Sequence, residues 1–255
     1  MKKTNVNIYT AFAKYYDYVL KDIDYNDWFS FLKSVMIKYN PSAKNILEIG
    51  CGTGKFGAKF SSNGYNIIGI DNSVEMLKIA KRRAKNNFKI FCANATSFHL
   101  KKKQDFIFCI HDMVNYILDK KNILKMFKCI KKTMHKDSIF LFDITTEYNI
   151  LENFENNRTN YYYKGCSIKW DNKYNFETKI ISSTLKFTTN ENETLSETHN
   201  QKIYTINEMK SIIKKAGLEL LAIYGDSTFY PVAQTSVMIN FVTRKKRCIL
   251  YSLFH

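Results

Sequence analysis

The sequence predicts an α/β fold, a doubly wound sheet with helices on both faces and an antiparallel β cap inserted after the fifth strand. Between residues 45 and 143, short apolar runs alternate with segments of helical periodicity, which is typical of strand–helix–strand units around a parallel sheet. Between residues 161 and 204, three long stretches rich in aromatic, threonine and isoleucine residues show no helical periodicity. Such stretches indicate antiparallel strands, which we expect to cover the carboxyl edge of the main sheet.

The first apolar run leads directly into a glycine-rich loop. Residues 46–49 are apolar apart from one glutamate, and Gly50, Gly52 and Gly54 follow within five positions. Glycines are needed where a loop adopts backbone angles closed to other residues, and where a ligand approaches the main chain without a Cβ in the way. The helix expected at residues 55–62 would point its N-terminal amides at a ligand over this loop. The pattern therefore favours a nucleotide-type site.

The second strand ends in an acidic residue that fits the same kind of site. It runs to Asp71, and Ser73 is placed to cap an amphipathic helix. An acidic residue about twenty positions after a glycine loop can hold two ribose hydroxyls through a bidentate carboxylate. The apolar positions predicted to face the core are Val74, Leu77, Ile79 and Ala80.

Two motifs resemble those of the class I S-adenosylmethionine-dependent methyltransferases. Residues 48–54, Glu-Ile-Gly-Cys-Gly-Thr-Gly, are similar to the first motif of that family, and residues 69–77, Gly-Ile-Asp-Asn-Ser-Val-Glu-Met-Leu, to the second. The resemblance extends from Tyr9 to about Val242. It implies a Rossmann-like sheet of seven strands, one of them antiparallel, with S-adenosyl-L-methionine as the cofactor. By this resemblance the cofactor-binding residues are Tyr9, Glu48, Gly50, Cys51, Gly52, Gly54, Asp71, Asn72, Met76, Asn94, Ala95 and His111.

The opening segment, residues 9–32, resembles the N-terminal lid of small-molecule methyltransferases of this class, and we call it the lid. Its aromatic residues recur at roughly helical spacing, which predicts a pair of helices packed on the sheet. In the family, a lid tyrosine binds the methionine carboxylate and others wall the substrate pocket. Phenols suit a dry, closed site because they combine apolar area with a polar tip. The aromatic residues are Tyr9, Phe12, Tyr16, Tyr25, Trp28 and Phe31.

The third and fourth strands are expected at residues 88–93 and 105–110. After the third, the family usually carries an aspartate that accepts a bond from the adenine amino group. Asn94 stands there, and its carbonyl is expected to accept that bond without a charge. After the fourth, His111 would lie beside the transferring methyl, because ligands lie at the carboxyl ends of the strands. The absence of proline at this place argues against methylation of exocyclic base amino groups, and Met113 replaces a serine of the small-molecule enzymes.

A helix at residues 120–134 and a fifth strand at residues 138–143 complete the alternating series. We expect residues 148–205 to form the cap, a three-stranded substrate-binding domain. Residues 1–147 and 206–255 would form the Rossmann-like cofactor-binding domain with its lid.

The stretch 197–204 resembles the Glu-x-His-x-x-Arg/Lys-x-Tyr sequence that precedes the last helix in these proteins, which makes His199 a second candidate base. Asn207 is predicted to cap that last helix and Gly217 to end it, before two final strands. The tail from Arg244 is basic and then apolar, and either local packing or contact with a membrane surface fits its composition.

Composition bounds the function further. The 255 residues suit one domain with an elaboration, and no signal peptide or membrane-spanning run is found, so a cytoplasmic protein is expected. The six cysteines are expected to be reduced, mostly buried thiols without metal spacing. The net charge of +16 raises nucleic acid as a partner, but the excess is mostly evenly spread lysine.

These observations predict transfer of a methyl group to nitrogen or oxygen of a small polar molecule. Alignment of the acceptor and exclusion of water are the main tasks of such an enzyme. The candidate catalytic residues are His111, His199 and Tyr16. The alternatives are a tRNA methyltransferase that uses the lysine surface and a cofactor-binding subunit without an acceptor site. Monomer and homodimer are both left open.

Overall fold

A computed structural model describes residues 3–246 of the chain. In chain order, its first elements are β1 (Lys3–Asn5), α1 (Ala13–Val19), α2 (Tyr25–Tyr39), β2 (Asn45–Ile49), α3 (Lys55–Ser62), β3 (Asn66–Asp71), α4 (Val74–Ala80), β4 (Phe88–Cys92), β5 (Gln104–Cys109), α5 (Lys120–Thr133) and β6 (Met134–Thr145). The remaining elements are α6 (Glu147–Asn149), β7 (Arg158–Tyr163), β8 (Cys166–Asn175), β9 (Ile180–Thr189), β10 (Thr194–Lys202), α7 (Ile206–Ala216), β11 (Leu218–Gly225) and β12 (Met238–Lys245). A 3₁₀ turn, Met113–Tyr116, follows β5.

The main sheet has seven strands among the described residues, in the order β11-β12-β6-β5-β2-β3-β4. Strands β2 to β6 are parallel, and β12 is antiparallel to both of its neighbours. The predicted doubly wound sheet with one antiparallel strand is therefore confirmed. Strand order reverses between β2 and β5, and this switch point is where open α/β sheets bind ligands.

Apolar side chains fill both faces of this sheet. Helices α2 and α3 pack on one face through residues such as Leu32 and Phe60, which have no exposed surface. Helices α5 and α7 pack on the other through Phe127 and Met209, which are equally buried. Two-sided burial explains why the strands read as nearly continuous apolar runs.

The second sheet has five strands, in the order β1-β10-β9-β8-β7. The expectation of three cap strands is wrong, because residues 158–163 pair with β8 as a fourth antiparallel strand. Strand β1 adds a parallel edge beside β10, which the sequence did not indicate. Phe12 and Tyr15 of the lid pack on this sheet with Phe187, so the lid and the cap share one small core. The division of the chain into two domains stays a prediction.

Two local expectations need correction. Thr205, not Asn207, caps α7: its hydroxyl accepts from the Glu208 N–H at 3.2 Å, while the Glu208 carboxylate accepts from the Thr205 N–H at 2.8 Å. Val74, predicted to face the core, is 55% exposed, and Met76 takes the buried position. Gly217 ends α7 in the left-handed conformation as predicted.

Several predicted absences concern the described residues alone. No helix in residues 3–246 is long and apolar enough to cross a membrane, and no group of three or more potential ligand side chains there could hold a metal ion. All five cysteines in this range are free, and Cys92 is exposed rather than buried. The apolar part of the tail and Cys248 lie outside the described residues.

Candidate active site

A cavity of ≈ 1010 Å³ lies at the carboxyl ends of β2, β3 and β4, and we call it the glycine-loop cavity. Residues from the lid, the glycine loop, the end of β3 and the loops after β4 and β5 line it. The sequence-predicted residues that it brings together are Tyr9, Tyr16, Gly50, Gly52, Asp71, Asn72, Met76, Asn94, Ala95 and His111.

The glycine loop has the conformation that its composition requires. Gly50, Gly52 and Gly54 all have positive φ angles, of 72°, 52° and 78°. A Cβ on Gly50 would lie 2.7 Å from Cγ of Met113, whereas one on Gly52 would meet no atom within 4 Å. Glycine at position 50 thus permits close packing, and glycine at position 52 leaves space for a ligand against the main chain.

The Asp71 carboxylate stands at the wall of this cavity. Its Oδ2 accepts from the Gly52 N–H and its Oδ1 from the Ser73 N–H, both at 2.8 Å. Burial raises its pKa, against the lowering effect of these main-chain bonds. The two bonds fix the carboxylate at the end of β3, where ribose hydroxyls would donate to it.

Asn94 is engaged in a way that the sequence did not predict. Its Oδ1 accepts from the main-chain N–H and the hydroxyl of Thr96, both at 2.8 Å. The oxygen expected to accept from an adenine amino group is therefore used inside a turn. A ligand amino group would have to share or displace these bonds.

Three predicted cofactor contacts lie beneath the loop rather than on the cavity wall. Glu48 is only 3% exposed, burial raises its pKa, and its Oε2 has no hydrogen-bond partner. Cys51 is buried beside Gly69, where a Cβ would lie 2.9 Å from its Sγ. Gly54 begins α3. These residues shape the loop, and their contact with a cofactor stays a prediction.

The cap holds the lid through a buried carboxylate, Glu197. Its two oxygens accept from the main-chain N–H groups of Tyr9, Ala11 and Phe12. Its Oε2 also lies 3.0 Å from Nε2 of His199. Glu197 lies in the stretch 197–204 that the sequence analysis identified as a motif. Its contacts with the lid join residues up to 188 positions apart, so its role as a lid anchor could not be predicted from that motif.

His199 does not line the glycine-loop cavity, and the hydroxyls of Tyr116 and Tyr9 connect its ring to that cavity. It is 3% exposed, and its Nδ1 lies 3.3 Å from the hydroxyl of Tyr116. The Tyr9 hydroxyl donates to Tyr116 at 2.7 Å. Burial raises the pKa of Tyr9, Tyr16 and Tyr116, so these phenols are protonated at neutral pH. Tyr16 can donate a hydrogen bond into the cavity, whereas the Tyr9 proton is already donated to Tyr116, and His199 stays one residue removed from the cavity.

A second link ties the lid to the glycine loop. Asp17 accepts from the Thr53 hydroxyl at 2.8 Å and from the Arg83 guanidinium at 2.7 Å, and Lys55 lies 3.4 Å away. Burial alone would raise the Asp17 pKa, but the bonds from Arg83 and Thr53 and the charges of Arg83 and Lys55 lower it. The lid is therefore fastened at both of its edges.

A second cavity, of ≈ 990 Å³, lies on the other side of His111. We call it the aspartate cavity because Asp24, Asp27, Asp112 and Asp226 line it. Of the described residues, His111 is the one that lines both cavities. The sequence missed this cavity, since its walls come from segments far apart in the chain.

His111 and Asp112 are held in an unusual backbone conformation. Both have φ near +60°, and their N–H groups donate to the Asp143 carboxylate at 2.8 and 3.0 Å. Burial, and then the charge of Lys55, lower the pKa of His111 to about 4, so its ring is neutral at pH 7. Strain of this kind persists only where the surroundings enforce it, and it often marks functional sites.

Comparison with known proteins agrees with this geometry. A family described as "Methyltransferase domain" matches residues 46–137. A putative methyltransferase of Geobacillus sp. (strain WCH70) is 27% identical, covering 93% of this chain and 99% of the relative. The putative methyltransferase YqeM of Bacillus subtilis is 24% identical, with 95% and 99% covered.

Solved structures show the same fold. A S-adenosylmethionine-dependent methyltransferase from Clostridium acetobutylicum has a TM-score of 0.81 at 23% identity, with 94% of this chain and 99% of that chain covered. The sugar N-methyltransferase KedS8 from Streptoalloteichus has a TM-score of 0.75 at 14% identity, with 91% and 93% covered.

The matched domain, the glycine loop and the strand-end carboxylate support a class I S-adenosylmethionine-dependent methyltransferase. The chain is thus an enzyme, and S-adenosyl-L-methionine is its cofactor. The residues fit that cofactor: Gly52 leaves open space over the loop, and Asp71 presents its carboxylate beside it.

Proposed function

We propose that this enzyme transfers a methyl group to nitrogen or oxygen of a small polar molecule bound in the aspartate cavity. One observation carries the proposal: the aspartate cavity and the glycine-loop cavity share His111 in their walls. A methyl group supplied from one cavity has an acceptor space directly next to it.

The cofactor supplies a methyl group on a sulfonium. With the cofactor held at Gly52 and Asp71, this methyl group would be available to an acceptor lone pair, and the acceptor would give up a proton. The chain itself must align the acceptor, exclude water and receive that proton. Trp28 and Tyr25 lie beside the His111 ring, at 4.7 and 5.8 Å between ring centres, and keep this junction apolar.

His111 and Asp112 are the groups best placed for the proton. The Nε2 of His111 and the Oδ1 of Asp112 are buried without hydrogen-bond partners. Burial raises the pKa of Asp112 to about 6, so at neutral pH it is ionised and more basic than an ordinary carboxylate. Tyr16, protonated at neutral pH, suits hydrogen-bond donation better than proton abstraction. His199 lies behind Tyr116, so it would exchange a proton with the acceptor only through the Tyr116 hydroxyl.

The test is a methylation assay with two kinds of acceptor. Purified enzyme and S-adenosylmethionine are incubated with small amines, amino sugars and alcohols, or with tRNA, and S-adenosylhomocysteine is measured. We expect turnover with a small molecule, and loss of it in Asp112→Asn with cofactor affinity retained, because Asp112 lines the aspartate cavity and not the glycine-loop cavity. Turnover with tRNA alone, falling steeply with salt, would overturn the proposal in favour of the tRNA alternative.

A further inference from the structure

We propose that the acceptor enters the aspartate cavity as a cation, an organic ammonium. This inference rests on the proposed function and names the substrate class of that same site. Three independent features of the cavity carry it: its charge, its unpartnered polar atoms and its aromatic walls.

The charge of the cavity is opposite to that of the protein. The chain has 39 lysines and arginines against 23 aspartates and glutamates, yet no lysine or arginine among residues 3–246 lines this cavity. Its four aspartates, Asp24, Asp27, Asp112 and Asp226, form no ion pair with any residue that the structure describes. Asp24 and Asp226 each accept two main-chain N–H bonds, which do not cancel their charge. Carboxylates without a partner cation around one space create a negative potential that attracts cations.

Three residues that line the same space carry unpartnered buried polar atoms. His111 Nε2, Asp112 Oδ1 and Ser227 Oγ each have a buried position, no hydrogen-bond partner and a place in the lining of the aspartate cavity. Ser227 also has a φ of 55°, as strained as His111 and Asp112. Buried polar groups are nearly always bonded, so three without partners around one cavity indicate a ligand that donates to them. An ammonium N–H is such a donor.

The walls between these groups are aromatic. Trp28, Phe31, Phe229 and Tyr230 line the cavity, and Tyr230 is 76% exposed. Aromatic faces attract ammonium groups, and one ring already does so: Lys38 Nζ lies 4.7 Å from the centre of the Phe229 ring. Carboxylates with aromatic rings form a pocket for an organic cation rather than for a metal ion, which would need converging oxygen ligands.

The charge of the acceptor also fits the groups at the junction. A protonated amine has no lone pair, so it must first give one proton to a base and then form the bond to carbon. The ionised Asp112 carboxylate can take that proton from the ammonium, leaving a neutral amine beside His111. The carboxylates at the mouth of the cavity, Asp24, Asp27 and Asp226, would hold the cation before this step.

The test compares ligands that differ only in charge. Binding of benzylamine against benzyl alcohol, and of glucosamine against glucose, is measured by calorimetry and by tryptophan fluorescence, with S-adenosylhomocysteine present, at pH 7.5. The variants are Asp112→Asn and Asp27→Asn, and Asp22→Asn, an exposed aspartate outside the cavity, is the matched control. We expect the amine of at least one pair to bind about tenfold more tightly than its neutral partner.

We further expect Asp112→Asn to weaken amine binding about tenfold, and the more exposed Asp27→Asn about threefold, with no change in the control. Equal binding of amine and neutral partner in both pairs, or methyl transfer to neutral alcohols alone, would overturn the cationic acceptor and leave the small-molecule function standing. Transfer to tRNA alone would overturn both. If Asp112→Asn does not fold, the effect of Asp27→Asn on amine binding tests the cationic acceptor.

Discussion

Replacing Glu197 by glutamine tests whether one buried carboxylate holds the lid. The side chain is 1% exposed and accepts three main-chain N–H bonds from the lid, at Tyr9, Ala11 and Phe12. In Glu197→Gln, the amide oxygen can keep the bonds to Ala11 and Phe12, but the amide nitrogen faces the N–H of Tyr9, donor against donor. The contact of this atom with Nε2 of His199 can persist with the new amide donating to the ring nitrogen.

The expected loss follows from these bonds. A hydrogen bond to a charged group contributes about 1.5–3 kcal/mol, and one such bond disappears. The other two weaken by about 0.5 kcal/mol each when the charge is removed. We therefore expect the free energy of unfolding to fall by about 3 kcal/mol, or the lid alone to open by that amount.

Two measurements separate these outcomes. Urea unfolding reports the global free energy, and hydrogen exchange of the amides of residues 9–12 reports local opening, which should accelerate more than about tenfold. Glu193→Gln, an exposed glutamate beside the same strand, is the matched control. A change below about 0.5 kcal/mol with unchanged exchange at residues 9–12 would refute this account of Glu197.

Three further predictions concern the two cavities. Asp71→Ala should weaken S-adenosylmethionine binding at least about thirtyfold by calorimetry, because it removes the acceptor of two hydroxyl bonds; near wild-type affinity would contradict this. Gly50→Ala should cost about 1–3 kcal/mol in urea unfolding, because φ is 72° and the new Cβ would meet Met113, and Met113→Ala in the same chain should restore part of the loss. Burial raises the Asp112 pKa to about 6 from an ordinary 3.8, and that of neighbouring Asp143 rises too, so this group's contribution to stability is full below pH 3.8 and lost as pH rises through 6. His111, whose pKa is lowered to about 4, gives the opposite slope over the same window, and Asp143 stays in place. In unfolding measured from pH 4 to 7, Asp112→Asn should therefore make stability fall less, or rise more, with pH than in the wild type, and an identical pH profile would contradict the assignment.

The elements that sequence predicted well are those set by local chemistry. The loop glycines have positive φ, and Asp71 is the last residue of the strand after the loop, so both could be predicted without any tertiary contact. The same holds for Ser73, whose hydroxyl accepts from the Met76 N–H at 3.2 Å.

What sequence missed depends on contacts between distant segments. The aspartate cavity joins Asp24, Asp112 and Asp226, which no local pattern connects. Strand β1 is three residues long and exists because β10 offers it an edge. The side-chain oxygen of Asn94 accepts two bonds from Thr96. A family pattern does not reveal that Thr96 competes with a ligand for this oxygen.

The fastening of the lid bears on how molecules enter and leave the enzyme. The main-chain carbonyl of Tyr9 accepts from the Ser73 hydroxyl at 3.2 Å, directly over the end of β3, while Glu197 and Asp17 hold the flanking residues. Opening of the lid over the end of β3 must break these bonds. The lid also supplies Asp24, Asp27 and Trp28 to the wall of the aspartate cavity, so one segment contacts both cavities. We therefore expect a change at one cavity that moves the lid to alter ligand binding at the other.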